Sequence, residues 1–175
     1  MTIPTNQDFA TEVRFDRLRL LWRVTLVASV LVGWILLNVS MLQRADVVRM
    51  IIPLGMFVLA AVLTRTLLNR GAYLTAARLY VVLAVVALGI TLFVGSEGVV
   101  TVMPFAFPVL IFIVGLLLQP SATVITSVVG SLLIYFVAPL NPQAPESIPV
   151  IQLAAILLTL AGAFVAALVA GDPYQ

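Results

Sequence analysis

Histidine, cysteine and lysine are absent from the 175-residue sequence. Without cysteine there is no disulfide, no thiolate metal site and no thiol nucleophile. Without histidine, the commonest general base and metal ligand is missing. All nine basic residues are arginine, and the seven acids are Asp8, Glu12, Asp16, Asp46, Glu97, Glu146 and Asp172. Charged residues amount to 9% of the chain, against about 25% in an average soluble domain. So little charge cannot cover a globular surface in water. Hydrophobic residues make up 63% and the mean hydropathy is +1.22. A water-soluble enzyme is excluded, and so is a disordered chain, which needs low hydrophobicity.

What is present is a series of apolar runs of membrane-spanning length. A span needs about 20 apolar residues, because the hydrocarbon core is about 30 Å thick and a helix rises 1.5 Å per residue. Val24–Gln43, Val47–Leu68 and Tyr73–Val94 meet that length. Gly98–Pro145 carries no charge but is too long for one span. Gln119-Pro120-Ser121 divides it, since proline cannot continue a helix but suits a first turn. Val99–Leu118 and Pro120–Val137 result, and Ile148–Ala170 completes the set. Barrel strands would alternate polar and apolar residues over about 10 positions; these runs are continuous. The expected fold is all-α: a polytopic integral membrane protein of six helices packed as three antiparallel hairpins. Residues 1–19 form a basic, amphipathic N-terminal segment, residues 20–170 the membrane domain, and 171–175 a tail.

The arginines predict orientation. Arg14, Arg17, Arg19 and Arg23 precede span one, and Arg65, Arg70 and Arg78 flank the turn between spans two and three. Six spans put these seven on one side, leaving Arg44 and Arg49 on the other. The positive-inside rule then places both termini in the cytoplasm, in a bacterial-type inner membrane. The charged lead and the length of span one point to a retained helix rather than a cleaved signal peptide. The short loops Gln43–Asp46, Asn69–Ala72 and Gly95–Gly98 require antiparallel neighbours. Ala138–Ser147, with Pro139, Pro142 and Pro145, reads as an extended, stiff external lid over spans five and six. Asp8–Leu21 suits either a helix lying on the inner leaflet, its arginines at anionic headgroups, or a plain topogenic flank.

The chemistry-bearing groups are sparse. A serine triad lacks its histidine, and no two acids sit together for acid–base work. Gly95-Ser96-Glu97-Gly98 lacks the lysine of a phosphate loop and reads as a turn. Nucleic-acid binding needs a basic surface with stacking aromatics, and topology already accounts for the arginines. Ion carriers hold ionisable groups in mid-membrane; no acid falls inside a span. The expectation is therefore no enzyme, no catalytic or metal-ligating residue and no cofactor.

Three patterns remain. Pro104 and Pro108 in span four kink the helix, leaving a candidate apolar pocket lined by Phe105, Phe107 and Phe112, or simply a packing kink. Thr123, Ser127 and Ser131 in span five, and Gly162, Ala166 and Ala170 in span six, form small-residue ridges for close helix contact. These serve packing within the chain or contact with a membrane-protein partner or a second copy. Asn38 and Gln152 are intramembrane amides that need hydrogen bonds across helix interfaces. Trp22 and Tyr73 suit the membrane interface, and Trp34 and Tyr80 lie deeper.

Leu67-Leu68-Asn69-Arg70-Gly71-Ala72-Tyr73, followed by Ala76-Ala77-Arg78-Leu79, is one recognisable run. Phe107-Pro108-Val109-Leu110 leading to Gly115-Leu116-Leu117-Leu118-Gln119-Pro120 is another. Together they resemble the six-helix membrane input regions ahead of bacterial sensor histidine kinases and related signalling proteins. The resemblance spans roughly Leu18–Ala170. It implies a non-catalytic module that anchors a signalling protein and senses a membrane-borne signal. Such modules continue into a cytoplasmic output domain, whereas this sequence ends at Gly171-Asp172-Pro173-Tyr174-Gln175. That implies a piece of a longer protein or a separate partner. Two other readings stand beside it: an accessory subunit of a larger membrane complex, holding lipid or pigment, and a small-molecule carrier built on the span-four kink.

Overall fold

The computed structural model describes residues 15–31 and 44–170, side chains 44–49 and 169–170 excepted. Arg14, Asn38, Trp34, the second half of span one and the tail lie outside the described residues. Among the described residues the fold is all-α. Helix α1 covers residues 15–31, α2 Arg44–Asn69 and α3 Tyr73–Val94. Span four comprises a short α4 (Glu97–Val102), a 3-10 turn (Met103–Phe105) and α5 (Ala106–Leu117). Helix α6 is Pro120–Val137, a 3-10 turn follows at Ala138–Leu140, and α7 is Ile148–Ala170. Five helical segments, spans two to six, are long and apolar enough to cross a membrane. The chain is an all-α, multi-pass membrane protein.

Helix ends follow local chemistry. Gly71 adopts φ +74°, a left-handed conformation that costs other residues about 1–2 kcal/mol. It closes α2 in a Schellman motif: the Ala72 N–H donates to the Leu67 carbonyl at 3.0 Å and the Gly71 N–H to Leu68 at 3.0 Å. Pro120 opens α6 one residue after Gln119, where its missing N–H has no intrahelical partner to lose. In span four, Pro104 lies in the 3-10 turn and deprives the Val100 carbonyl of its usual α-helical donor. The span therefore forms as two helical pieces rather than one.

Helix α3 is the most buried of the candidate spans. It packs along α2 on one side and against α5 and α6 on the other. Tyr80, Ala84, Leu88 and Leu92 of α3 meet Phe107, Leu110 and Val114 of α5 and Ile134 of α6 in the main core. Sequence neighbours run antiparallel, as the short turns require. An additional, extensive contact joins α5 to α7, which are not sequential. It is possible because Gly115 lacks a side chain: a Cβ there would lie 2.7 Å from the Ala166 Cβ. Helices α5, α6 and α7 thus form a three-helix cluster, where sequence spacing alone suggests three separate hairpins.

Two expectations need correction. Residues 15–19 are not a segment separate from span one; helix α1 runs without a break from residue 15 to residue 31. Leu18 is fully buried against Leu68, Ala76, Ala77 and Leu117. This start of α1 is therefore docked on the bundle. The linker after α6 is not an extended lid either. It forms a 3-10 turn and further turns, because Asn141 is pulled inward by hydrogen bonds described below.

Two substitutions test these packing arguments. Gly71→Ala should destabilise the protein by about 1–2 kcal/mol, with Gly71→Asn milder, read by thermal unfolding in detergent. Gly115→Leu should separate α5 from α7 and lower the unfolding temperature more than Leu116→Ala at the exposed neighbouring position.

Candidate functional site

The bundle has two distinct ends. At one, the start of α1, the α2–α3 turn and the α5–α6 junction come together around Leu18, Leu68, Ala76 and Leu117. Arg17, Arg19, Arg23, Arg65, Arg70 and Arg78 all belong to this end and are exposed. Sequence reading groups these six together with Arg14, which lies outside the described residues. The sole ion pair among the described residues is Arg19 with Asp16 at 3.2 Å. Both partners are exposed, so it adds little stability. Trp22 is half-buried, with the Arg23 and Arg65 guanidinium carbons 5.7 and 5.4 Å from its ring. Cation–π attraction holds both charges at the indole. Phe15 meets Tyr73 with ring centroids 5.2 Å apart, and the Tyr73 hydroxyl donates to the Leu117 carbonyl at 2.8 Å. That bond serves a carbonyl at the end of α5, where intrahelical donors run out.

Along this end an apolar groove of about 230 Å³ runs between α1 and α5. Arg17, Leu20, Leu21 and Val24 form one wall, and Ile113, Leu116 and Leu117 the other. The α1 residues follow i, i+3, i+4, i+7 spacing and the α5 residues i, i+3, i+4, so each wall is one helix face. Sequence reading missed this site, although both stripes are visible in it. It did not connect two helices nearly 90 positions apart.

The opposite end is organised by buried amides. Asn141 is 4% exposed. Its Nδ2 donates to the Leu92 and Gly95 carbonyls, each at 2.9 Å, and its Oδ1 accepts from the Gln143 N–H at 2.8 Å. One side chain thereby caps the C-terminal end of α3 and folds the α6–α7 linker against it. Gln152 of α7 donates to the Ile134 carbonyl at 2.8 Å and to Tyr135 at 3.3 Å. Residue 139 is proline and has no N–H, so the Tyr135 carbonyl lacks its usual helical donor. Gln152 thus makes the interhelix bond its residue type demands. The role of Asn141 was missed because a proline-rich flank reads as loop; the Asn-Pro-Gln turn was the available signal.

Midway along the bundle, Thr25 and Tyr80 oxygens lie 2.6 Å apart. The Thr25 hydroxyl donates to Leu21 at 2.9 Å, so its single hydrogen is used and Tyr80 is the donor. This bond ties α1 to α3. Tyr80 is buried, as its depth suggests.

The span-four residues sit in different surroundings. Phe107 is fully buried, and its ring would lie 2.8 Å from a Cβ at Gly130 of α6. Phe105 and Phe112 are 38% and 53% exposed. Pro104 is buried and Pro108 half-buried. Residues at helical spacings of two and five point to different faces, so the kink packs inward at Phe107 and turns the other rings out. The ridge residues Thr123 and Ser127 are buried, and Ser131 half-buried. Gly162 and Ala166 face span four: Gly162 lies near the Pro108 carbonyl and Ala166 at Gly115. Ser127 reaches the Thr159 carbonyl of α7 at 3.5 Å. These ridges pack within the chain. The Ala170 side chain lies outside the described residues.

The Thr64, Thr123 and Ser131 hydroxyls are buried without a partner. Removing an unsatisfied hydroxyl while keeping its shape is neutral or stabilising, whereas leaving carbonyls unpaired costs about 1–3 kcal/mol. Thr123→Val should therefore leave stability unchanged or raise it, and Gln152→Leu should lower it, both read by thermal unfolding in detergent. Searches of protein-family models, curated proteins and solved structures return no match to this chain.

Proposed function

We propose that this chain is a non-catalytic six-helix membrane module that anchors and relays a membrane-borne signal, as in the input regions it resembles. One observation carries the reading. Among the described residues, the buried amides Asn141 and Gln152 and the Tyr73 and Tyr80 hydroxyls are engaged in bonds within the chain. They cap helix ends and cross-tie helices, which supports the reading of a firm relay. Helix α1 supports the same role. It runs from the arginine end into the bundle and is tied there by Leu18 and by the Thr25–Tyr80 bond. A displacement of α1 is thus coupled to α3.

On this reading six spans cross an inner membrane, with both termini and the arginine end in the cytoplasm. The natural absence of cysteine permits a direct test. A membrane-impermeant maleimide should label Gln143→Cys in intact cells and Asn69→Cys only after permeabilisation; the reverse pattern would overturn the orientation. Photo-crosslinking from Thr66, exposed at the arginine end, should capture a protein with a cytoplasmic signalling domain. Recovery instead as a fixed-ratio subunit of an integral membrane enzyme would replace the relay with an accessory subunit.

A further inference from the structure

The groove between α1 and α5 is apolar along its length and begins at a charge. Its volume of about 230 Å³ is below the roughly 300–1,000 Å³ of most small-molecule sites. Its walls offer no hydrogen-bonding side chain except Arg17. From Arg17 to Val24 it runs about 10 Å along α1, starting at the arginine end and continuing past Trp22 towards the bundle interior. Leu20 and Val24 are 64% and 55% exposed, so the groove opens sideways to lipid. Such a shape admits part of one flexible hydrocarbon chain.

The charge pattern selects the headgroup. Arg17 is exposed and has no ion pair among the described residues. Arg19, Arg23 and Arg65 belong to the same end, and the one described acid there, Asp16, is paired with Arg19. A choline or ethanolamine headgroup would bring an ammonium among these guanidiniums, at a repulsive cost. A lipid with net negative charge brings none, and its phosphate accepts hydrogen bonds from the guanidinium fork. Arg17 therefore marks the headgroup level, at the outer end of the groove.

We infer that the α1–α5 groove is a binding site for one anionic phospholipid, with an acyl chain along Leu20, Val24, Ile113 and Leu116 and the phosphate on Arg17. The site rests on the membrane-spanning fold and not on the relay reading, so either can fail without the other. A lipid seated there would extend the contact between α1 and α5 that begins at Leu18 and Leu117.

The test uses the full chain in nanodiscs of equal parts phosphatidylglycerol and phosphatidylcholine, released into mild detergent and weighed by native mass spectrometry. The wild-type protein should retain one phosphatidylglycerol in preference to phosphatidylcholine. Arg17→Gln should reduce that preference about fivefold, and Arg17→Lys should keep most of it. Arg78→Gln, on the same end but away from the groove, should leave it unchanged. Leu20→Trp, filling the groove from an exposed position, should reduce retention of both lipids, with circular dichroism confirming unchanged helix content. A wild-type protein that emerges lipid-free would overturn the site. Equal losses in Arg17→Gln and Arg78→Gln would do the same, since they would reveal only diffuse surface charge.

Discussion

In lipid, a backbone carbonyl or N–H with no internal partner finds no water to replace it. The rest of this structure depends on that constraint. Most of each helix meets it through its own backbone. The difficulties arise where proline removes a donor or a helix ends, and at three such places a polar side chain supplies the bond. Gln152 serves the carbonyl that Pro139 leaves free, Asn141 serves the end of α3, and Tyr73 serves the end of α5. These three side chains complete the backbone of neighbouring helices.

The same economy governs packing. Apolar side chains gain little by leaving lipid for one another, so close approach and dispersion contacts must hold the helices. Helix α3 supplies the central surface through its line of alanines and Tyr80. Gly115 lets α5 reach α7, and Phe107 fills the space over α6. Large apolar residues such as Val128, Leu132, Leu157 and Phe164 are left outward. In water they would be a liability; in a bilayer they are the solvated surface.

Among the described residues, charge lies towards the ends. Six described arginines gather where α1, the α2–α3 turn and α5 meet, with Glu97 and Glu146 towards the far end. The groove between α1 and α5 begins at this same end. A cationic rim above an apolar groove matches the two halves of a lipid, and no polar group inside the groove competes for a different ligand.

The sequence by itself determined the solvent, the fold class and most helix boundaries. Tyr73–Val94, Pro120–Val137 and Ile148–Ala170 are read directly from apolar run length, charged flanks and proline placement, because those signals are local. The need of Gln152 for a partner was equally legible, since an amide in lipid cannot remain unpaired. The identity of that partner was not. Nor were the docking of Leu18, the turning-in of Asn141, the burial of Phe107 while Phe105 and Phe112 turn outward, or the groove joining Arg17 to Ile113. Each depends on which helix face meets which neighbour. In a chain whose helices are apolar on every side, hydrophobic periodicity does not distinguish the face turned to lipid from the face turned to protein. Only steric fit between distant residues, as at Gly115 and Ala166, decides it.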